Sequence, residues 1–248
     1  MARRAKRLNE FELITTDIAA RQEGQPKKSF HAQDLRNIKP LNDNQRDAFY
    51  HWAAGSNLLL TGCAGTGKTT LALYLALNEV LSPDKQKQVI IIRSAVPTRE
   101  IGFLPGIESE KEAPYELPYI GVCDDLFPWK NSYENLKLCK KIEFKITSYL
   151  RGLTFDDKII IVDEMQSMTL HEIDTVITRA GINTRMILCG DLNQNDLIYK
   201  KSDKSGFVDA VRLLNEMKSF ETINFIPDDI VRGGICKEWV TQRFHQHI

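Results

Sequence analysis

Apolar residues along this chain fall into short unbroken runs separated by longer amphipathic stretches, the pattern of buried parallel strands alternating with helices. The stretch LNDNQRDAFYHWAAG predicts a helix from Leu41 onward, with Asn42 or Asp43 as N-cap. Ala48, Phe49, Trp52 and Ala53 follow at helical spacing, and Gly55 is the stop. The run at 58–60 predicts a strand. TLALYLALNEVLSP after it is apolar nearly all round and stops at Pro83, as a helix buried against a sheet does. QVIIIRSAV reads as a central strand ending in Arg93 and Ser94, and 159–162 reads as another. A helix at 170–180, a strand at 186–189, a helix at 206–218, a strand at 221–226 and a short last helix complete the alternation.

Two stretches interrupt that rhythm. Residues 95–135 are long, punctuated by proline and glycine, and acidic from Glu108 to Asp125. They also carry Phe103, Tyr115, Tyr119, Phe127 and Trp129, too many aromatics for a loose tether, so they read as an ordered insertion packed on the domain or on a neighbour. Residues 136–150 have a helical period. Lys137, Lys141 and Lys145 repeat every four residues, opposite Leu138, Ile142, Ile146 and Tyr149. That lysine stripe is either a solvated helix face or a phosphate-contacting surface.

The chemistry concentrates at two strand ends. LLLTGCAGTGKTT fills every fixed position of G-x-x-x-x-G-K-[ST] between a predicted strand and a predicted helix. Its glycines let successive N–H groups turn inward around phosphate oxygens, and the helix dipole favours the same anion. The nucleotide-binding candidates are Gly62, Cys63, Ala64, Gly65, Thr66, Gly67, Lys68, Thr69 and Thr70. Lys68 would reach the β- and γ-phosphates, and Thr69 would ligate Mg²⁺. The second centre is KIIIVDEMQSMT, where a strand ends in Asp163 and Glu164. Asp163 would hold the Mg²⁺ shell, and Glu164 would polarise the attacking water. Gln194, beyond a strand inserted between these two, is the candidate γ-phosphate sensor. Gln45, shortly before the P-loop, could pair with an adenine edge, although spacing alone fits a surface glutamine better. Arg232 before a glycine pair reads either as a surface arginine or as an arginine finger.

Composition adds limits. The 248 residues, 42% hydrophobic, suit one α/β domain with additions. Lysine plus arginine equals aspartate plus glutamate at 33 each, so any nucleic-acid surface must be a local patch. Arg93 and the three lysines are the candidates for it. Residues 1–40 read as a basic and polar appendage, with nine Lys/Arg against five Asp/Glu up to Lys39. It is either a solvated terminus or an arm for nucleic acid or a neighbour. The domain proper is expected over 41–248. Five scattered cysteines without a C-x-x-C pair, no signal peptide and no membrane-spanning run lead to the expectation of a cytoplasmic protein with free thiols.

Over about residues 38–243 the chain resembles the PhoH family of phosphate-starvation-inducible P-loop ATPases, in a short, phage-type form. The resemblance is carried by IKPLNDNQRDAF, GCAGTGKTT, RSAVPTREIGFLPG, SYLRGLTFDDKIIIVDEMQSMT and ITRAGINTRMILCGDLNQNDL. DExQ followed by GDxxQ is shared with superfamily 1 helicases. Cys63 replaces the family's usual proline, a change expected to be tolerable. GGICKEW replaces the common HPLV, which leaves the role of the C-terminal segment open. The resemblance implies one RecA-like domain, a mostly parallel sheet with helices on both faces, hydrolysing ATP with Mg²⁺. It further implies homo-oligomers, hexameric rings foremost, and a link to single-stranded RNA or DNA. Two-part relatives add a ribonuclease domain for which this chain has no room, so no intrinsic nuclease is expected. A lone RecA-like domain implies an arginine from a neighbouring subunit. Arg232 is favoured, with Arg179, Arg185 and Arg151 in reserve. Three readings result: a nucleic-acid-coupled oligomeric ATPase, an ATP-gated assembly switch, and a small-molecule phosphotransferase, which the DE pair disfavours.

Overall fold

The computed structural model of the protein describes residues 29–83, 87–94, 108–191 and 206–246. Strands β1 (Asn57–Gly62), β2 (Gln88–Arg93), β3 (Ile142–Ile146), β4 (Lys158–Val162), β5 (Arg185–Cys189) and β6 (Phe220–Phe225) pair into one sheet. Its order is β3-β2-β4-β5-β1-β6, and every pairing is parallel. Strand β5 therefore separates the P-loop strand from the Asp163 strand, as expected for a RecA-like core.

Seven helices accompany the sheet among the described residues: α1 (Asp43–Ala53), α2 (Lys68–Val80), α3 (Glu108–Leu126), α4 (Ser132–Leu138), α5 (Leu170–Ile177), α6 (Phe207–Asn215) and α7 (Ile235–His245). Alternate residues of each strand face opposite sides. Leu58, Leu60, Val89, Ile91, Ile159 and Ile161 join one core with α1, α2, α3 and α4. Leu59, Ile90, Ile92, Ile160, Val162 and Leu188 join the other with α5 and α6. Burial on both faces explains the unbroken apolar runs of the central strands.

Two expectations are corrected, and the insertion gains a defined shape. The insertion at 95–135 contains a 19-residue helix, α3, in spite of Pro114 and Pro118. Those prolines lie four apart on one side, while Tyr119, Ile120, Cys123 and Leu126 are buried in the core, so tertiary packing outweighs propensity. The predicted helix over 136–150 is instead the end of α4 followed by β3, with Ile142, Phe144 and Ile146 buried and Glu143 and Lys145 half-buried. The lysine stripe dissolves with it. Lys137 pairs with Glu116 of α3 at 2.7 Å, Lys145 pairs with Glu143 at 2.8 Å, and Lys141 lies in the turn before β3. Finally, residues 29–40 belong to the domain rather than to an appendage. Phe30 is buried edge-on against Phe127, and Arg36 N–H donates to the Leu126 carbonyl at 2.8 Å.

Asn42 caps α1 by accepting from Gln45 N–H. At the sheet's amino edge, Arg185 stacks 3.4 Å from the Trp52 ring centroid and donates to the Trp52 and Ser56 carbonyls and to Glu79. Lys87 reaches the same Glu79 at 3.2 Å. Burial pulls the Arg185 guanidinium below its ordinary value, and the Glu79 charge opposes that. One carboxylate thus neutralises two buried cations, so Glu79→Leu should cost about 3 kcal/mol or more in denaturant unfolding. A loss below about 1 kcal/mol would show that solvent reaches the cluster.

Candidate active site

Parallel strands bring their carboxyl ends to one edge, and a cleft of about 570 Å³ opens there. Ala64, Gly65, Gly67, Lys68, Thr69 and Thr70 form one wall, and Asp163, Glu164 and Gln166 form another. Gly67 is the N-cap of α2 at φ +84°, a left-handed conformation suited to glycine, and no side chain caps that end. The first N–H groups of α2 therefore face an anion site. Gly62, at φ +107°, lies so close to β6 that a Cβ there would stand 1.9 Å from the Phe225 carbonyl oxygen.

The remaining loop residues shape the cradle from behind. Thr66 is fully buried and its hydroxyl donates to the Cys63 carbonyl. Cys63 N–H donates to the Phe225 carbonyl at 3.0 Å, which corrects the expectation that this N–H serves phosphate. Burial, then the Asp191 charge, push the Cys63 thiol up. Gln45 is buried beside the loop, with its amide N–H on the Thr66 carbonyl at 3.1 Å and its oxygen accepting from Leu41 N–H. It buttresses the P-loop and does not line the cleft.

Lys68 Nζ lies 2.7 Å from both the Gly62 and the Cys63 carbonyl oxygens, at the loop's mouth. Thr69 Oγ1 donates to Asp163 Oδ1 at 3.1 Å, bringing the two predicted Mg²⁺ residues together across β5. A hydroxyl, a carboxylate and phosphate oxygens are hard donors of the kind Mg²⁺ takes, so these residues fit the metal and a triphosphate. Tyr119, which the sequence reading assigned only to the insertion, donates to Asp163 Oδ2 at 3.0 Å.

Glu164 follows in a left-handed conformation, φ +54°, sparsely populated for a side chain of its kind and a mark of functional sites. Burial first, then the Asp163 charge, push its carboxyl up, while Arg93, Gln166 and Lys68 oppose this. Gln166 was not among the expected site residues, although it is the glutamine of the DExQ motif. Its amide donates to Glu164 and accepts from Asp191 N–H at 3.0 Å. Arg93, expected at a nucleic-acid surface, lines the nucleotide cleft instead.

Arg232 also lines the cleft, beside the P-loop of its own chain. Val231 and Arg232 N–H both donate to the Gly65 carbonyl. Asn42 and Asn44 of the α1 start hold this segment by donating to the Asp229 carbonyl and carboxylate. Arg232, preferred as an arginine reaching a neighbour's site, stands at the cleft of its own chain. Of the reserves, Arg185 is committed to Glu79 at the opposite edge, while Arg151 and Arg179 stand away from this cleft, as an arginine for a neighbour's site would. Gln194 lies outside the described residues.

A β1-loop-α2 phosphate cradle facing an Asp-Glu pair across one inserted strand defines a P-loop nucleotide-binding domain of RecA-like type. The family described as PhoH-like protein matches residues 37–244, and the chain belongs to that family. It is similar to the protein PhoH2 of Bacillus subtilis, at 36% identity over 73% of this chain and 42% of the relative. It is also similar to the protein PhoH of Escherichia coli, at 31% identity over 83% of this chain and 59% of the relative. The chain spans about half the length of these relatives. A solved structure similar in fold is the large terminase of a thermophilic bacteriophage in complex with ADP, with TM-score 0.46 and 12% identity over 84% of this chain and 50% of that one. Another is the Pif1 helicase of Candida albicans, with TM-score 0.39 and 16% identity over 76% of this chain and 41% of that one. Among the described residues no helix is long and apolar enough to cross a membrane.

Glu172 of α5 ties the ends of β2 and β3 to this edge. Its carboxylate accepts from the Ser94 hydroxyl at 2.9 Å, the Thr147 hydroxyl at 2.6 Å and the Thr169 N–H at 2.9 Å. Burial alone would raise it. The hydrogen bonds from Thr147, Thr169 and Ser94 outweigh burial and hold it below the ordinary 4.5. Its stabilising contribution is therefore complete above pH 4.5 and is lost as pH falls through the depressed folded-state value. Unfolding of wild type and Glu172→Gln across this range should show a constant gap at higher pH that closes on acidification. A gap that widens would contradict the assignment.

Proposed function

We propose that the chain is a Mg²⁺-dependent ATP hydrolase that works as a homo-oligomer coupled to single-stranded RNA or DNA. The observation that carries the hydrolytic part is Glu164. It stands next to the metal carboxylate, faces the cleft that Lys68 and Thr69 line, and is held by Gln166. A carboxylate there can take a proton from water attacking the γ-phosphate; Thr69 and Asp163 would hold Mg²⁺, which would supply charge neutralisation. Lys68 and the α2 N-terminus bind the phosphates. Arg93 and Arg232 add positive charge to the cleft walls, where charge develops during transfer.

The oligomeric part is supported by apolar surface beside the cleft. Val231, Ile235 and Trp239 are all exposed, Ile235 by 84% and Trp239 by 66%. The nucleic-acid part draws on the motifs shared with superfamily 1 helicases, and no longer on a lysine stripe. The same exposed patch favours the second reading, an ATP-gated assembly switch without nucleic acid.

Steady-state hydrolysis per subunit, measured against protein concentration with and without single-stranded RNA and DNA, separates the two. A rate that rises with concentration and again with nucleic acid supports the coupled oligomer; a rise with concentration alone supports the switch. Glu164→Gln should bind ATP and hydrolyse it roughly 100-fold more slowly or worse, whereas Lys68→Ala should lose productive binding. Normal turnover by Glu164→Gln would remove Glu164 from the role of base.

A further inference from the structure

Asp163 is held at both oxygens, by two elements far apart in sequence. Thr69 at the start of α2 takes Oδ1, and Tyr119 in the middle of α3 takes Oδ2. Tyr119 has no exposed surface, and its ring packs on Phe144 of β3 with centroids 5.8 Å apart. A phenylalanine would fill that space equally well. A buried hydroxyl is unfavourable unless bonded, so its presence is accounted for by the carboxylate it meets. Pro118 and Val122, on either side of it in the chain, line the nucleotide cleft. Helix α3 thus forms part of the cleft wall and also reaches behind the wall to the acid.

We propose that Tyr119 is a positioning residue for the metal site: its hydroxyl fixes the rotation of the Asp163 carboxylate, leaving the other oxygen beside Thr69 for Mg²⁺. This rests on the reading of Asp163 as the Mg²⁺ carboxylate. Partners that orient a metal ligand from behind typically change metal affinity about 10- to 100-fold when removed. A carboxylate held at only one oxygen rotates more freely and loses that pre-orientation.

The test follows binding of a fluorescent N-methylanthraniloyl ADP, first in EDTA and then during Mg²⁺ titration. It compares wild type, Tyr119→Phe, Asp163→Asn and the double variant. Tyr119→Phe should keep the metal-free nucleotide affinity, yet need roughly 10-fold more Mg²⁺ for the half-maximal response. The double variant should be no worse than Asp163→Asn, because the hydroxyl acts only through that carboxylate. An unchanged Mg²⁺ midpoint in Tyr119→Phe overturns the proposal. So does an undiminished Tyr119 effect in the Asp163→Asn background, or a drop in metal-free melting that accounts for the weaker response. Wild-type binding that ignores Mg²⁺ overturns the hydrolase reading itself, a result distinguishable from all of these.

Discussion

All six strands point the same way, and the rest of the molecule follows from that constraint. Parallel pairing places the carboxyl ends of β1, β2, β4, β5 and β6 at one edge. The P-loop, Arg93, the Asp163–Glu164 pair, Asp191 and the segment leading to Arg232 then meet without any of them being near the others in sequence. The opposite edge is free for structural work. There Glu79 neutralises Arg185 and Lys87, and Arg185 lies on Trp52, locking α1 and α2 to the sheet. The same residue type, arginine, is structural at one edge and lines the cleft at the other.

What could be read from the sequence was whatever depends on local pattern. The central strands announced themselves as apolar runs because helices cover both faces, and the P-loop and Asp163–Glu164 are contiguous motifs. Residues 136–150 misled for a physical reason: a spacing of four keeps residues on one face in a helix and in a strand alike. Ile142 and Ile146, like Lys141 and Lys145, fit either period. Phe144, buried midway between the two isoleucines, is the residue that distinguishes them. In α3 the two prolines outweighed an apolar face whose partners lie elsewhere in the chain. The Tyr119–Asp163 bond joins residues 44 apart in sequence, and no local pattern encodes it.

The glutamines show the same division. Gln45 and Gln166 are both buried, and each joins two segments through one donor and one acceptor. Their proximity to motifs was legible in the sequence. Their partners are backbone groups or side chains brought in by the fold, so whether each faces ligand or protein was not.

The bridge made by Gln166 has a mechanical consequence. An amide is planar, with its donor and acceptor rigidly linked, so its two ends cannot adjust independently. If the backbone at Asp191 shifts or turns, the plane tilts, and the carboxylate of Glu164 is carried with it. Loosening the grip at the β5 terminus would remove one constraint on that acid, even with every atom of the phosphate cradle unmoved. The aim of the Glu164 carboxylate is therefore held by a lever whose far end lies just past β5, the strand between the acid and the loop that grasps the nucleotide.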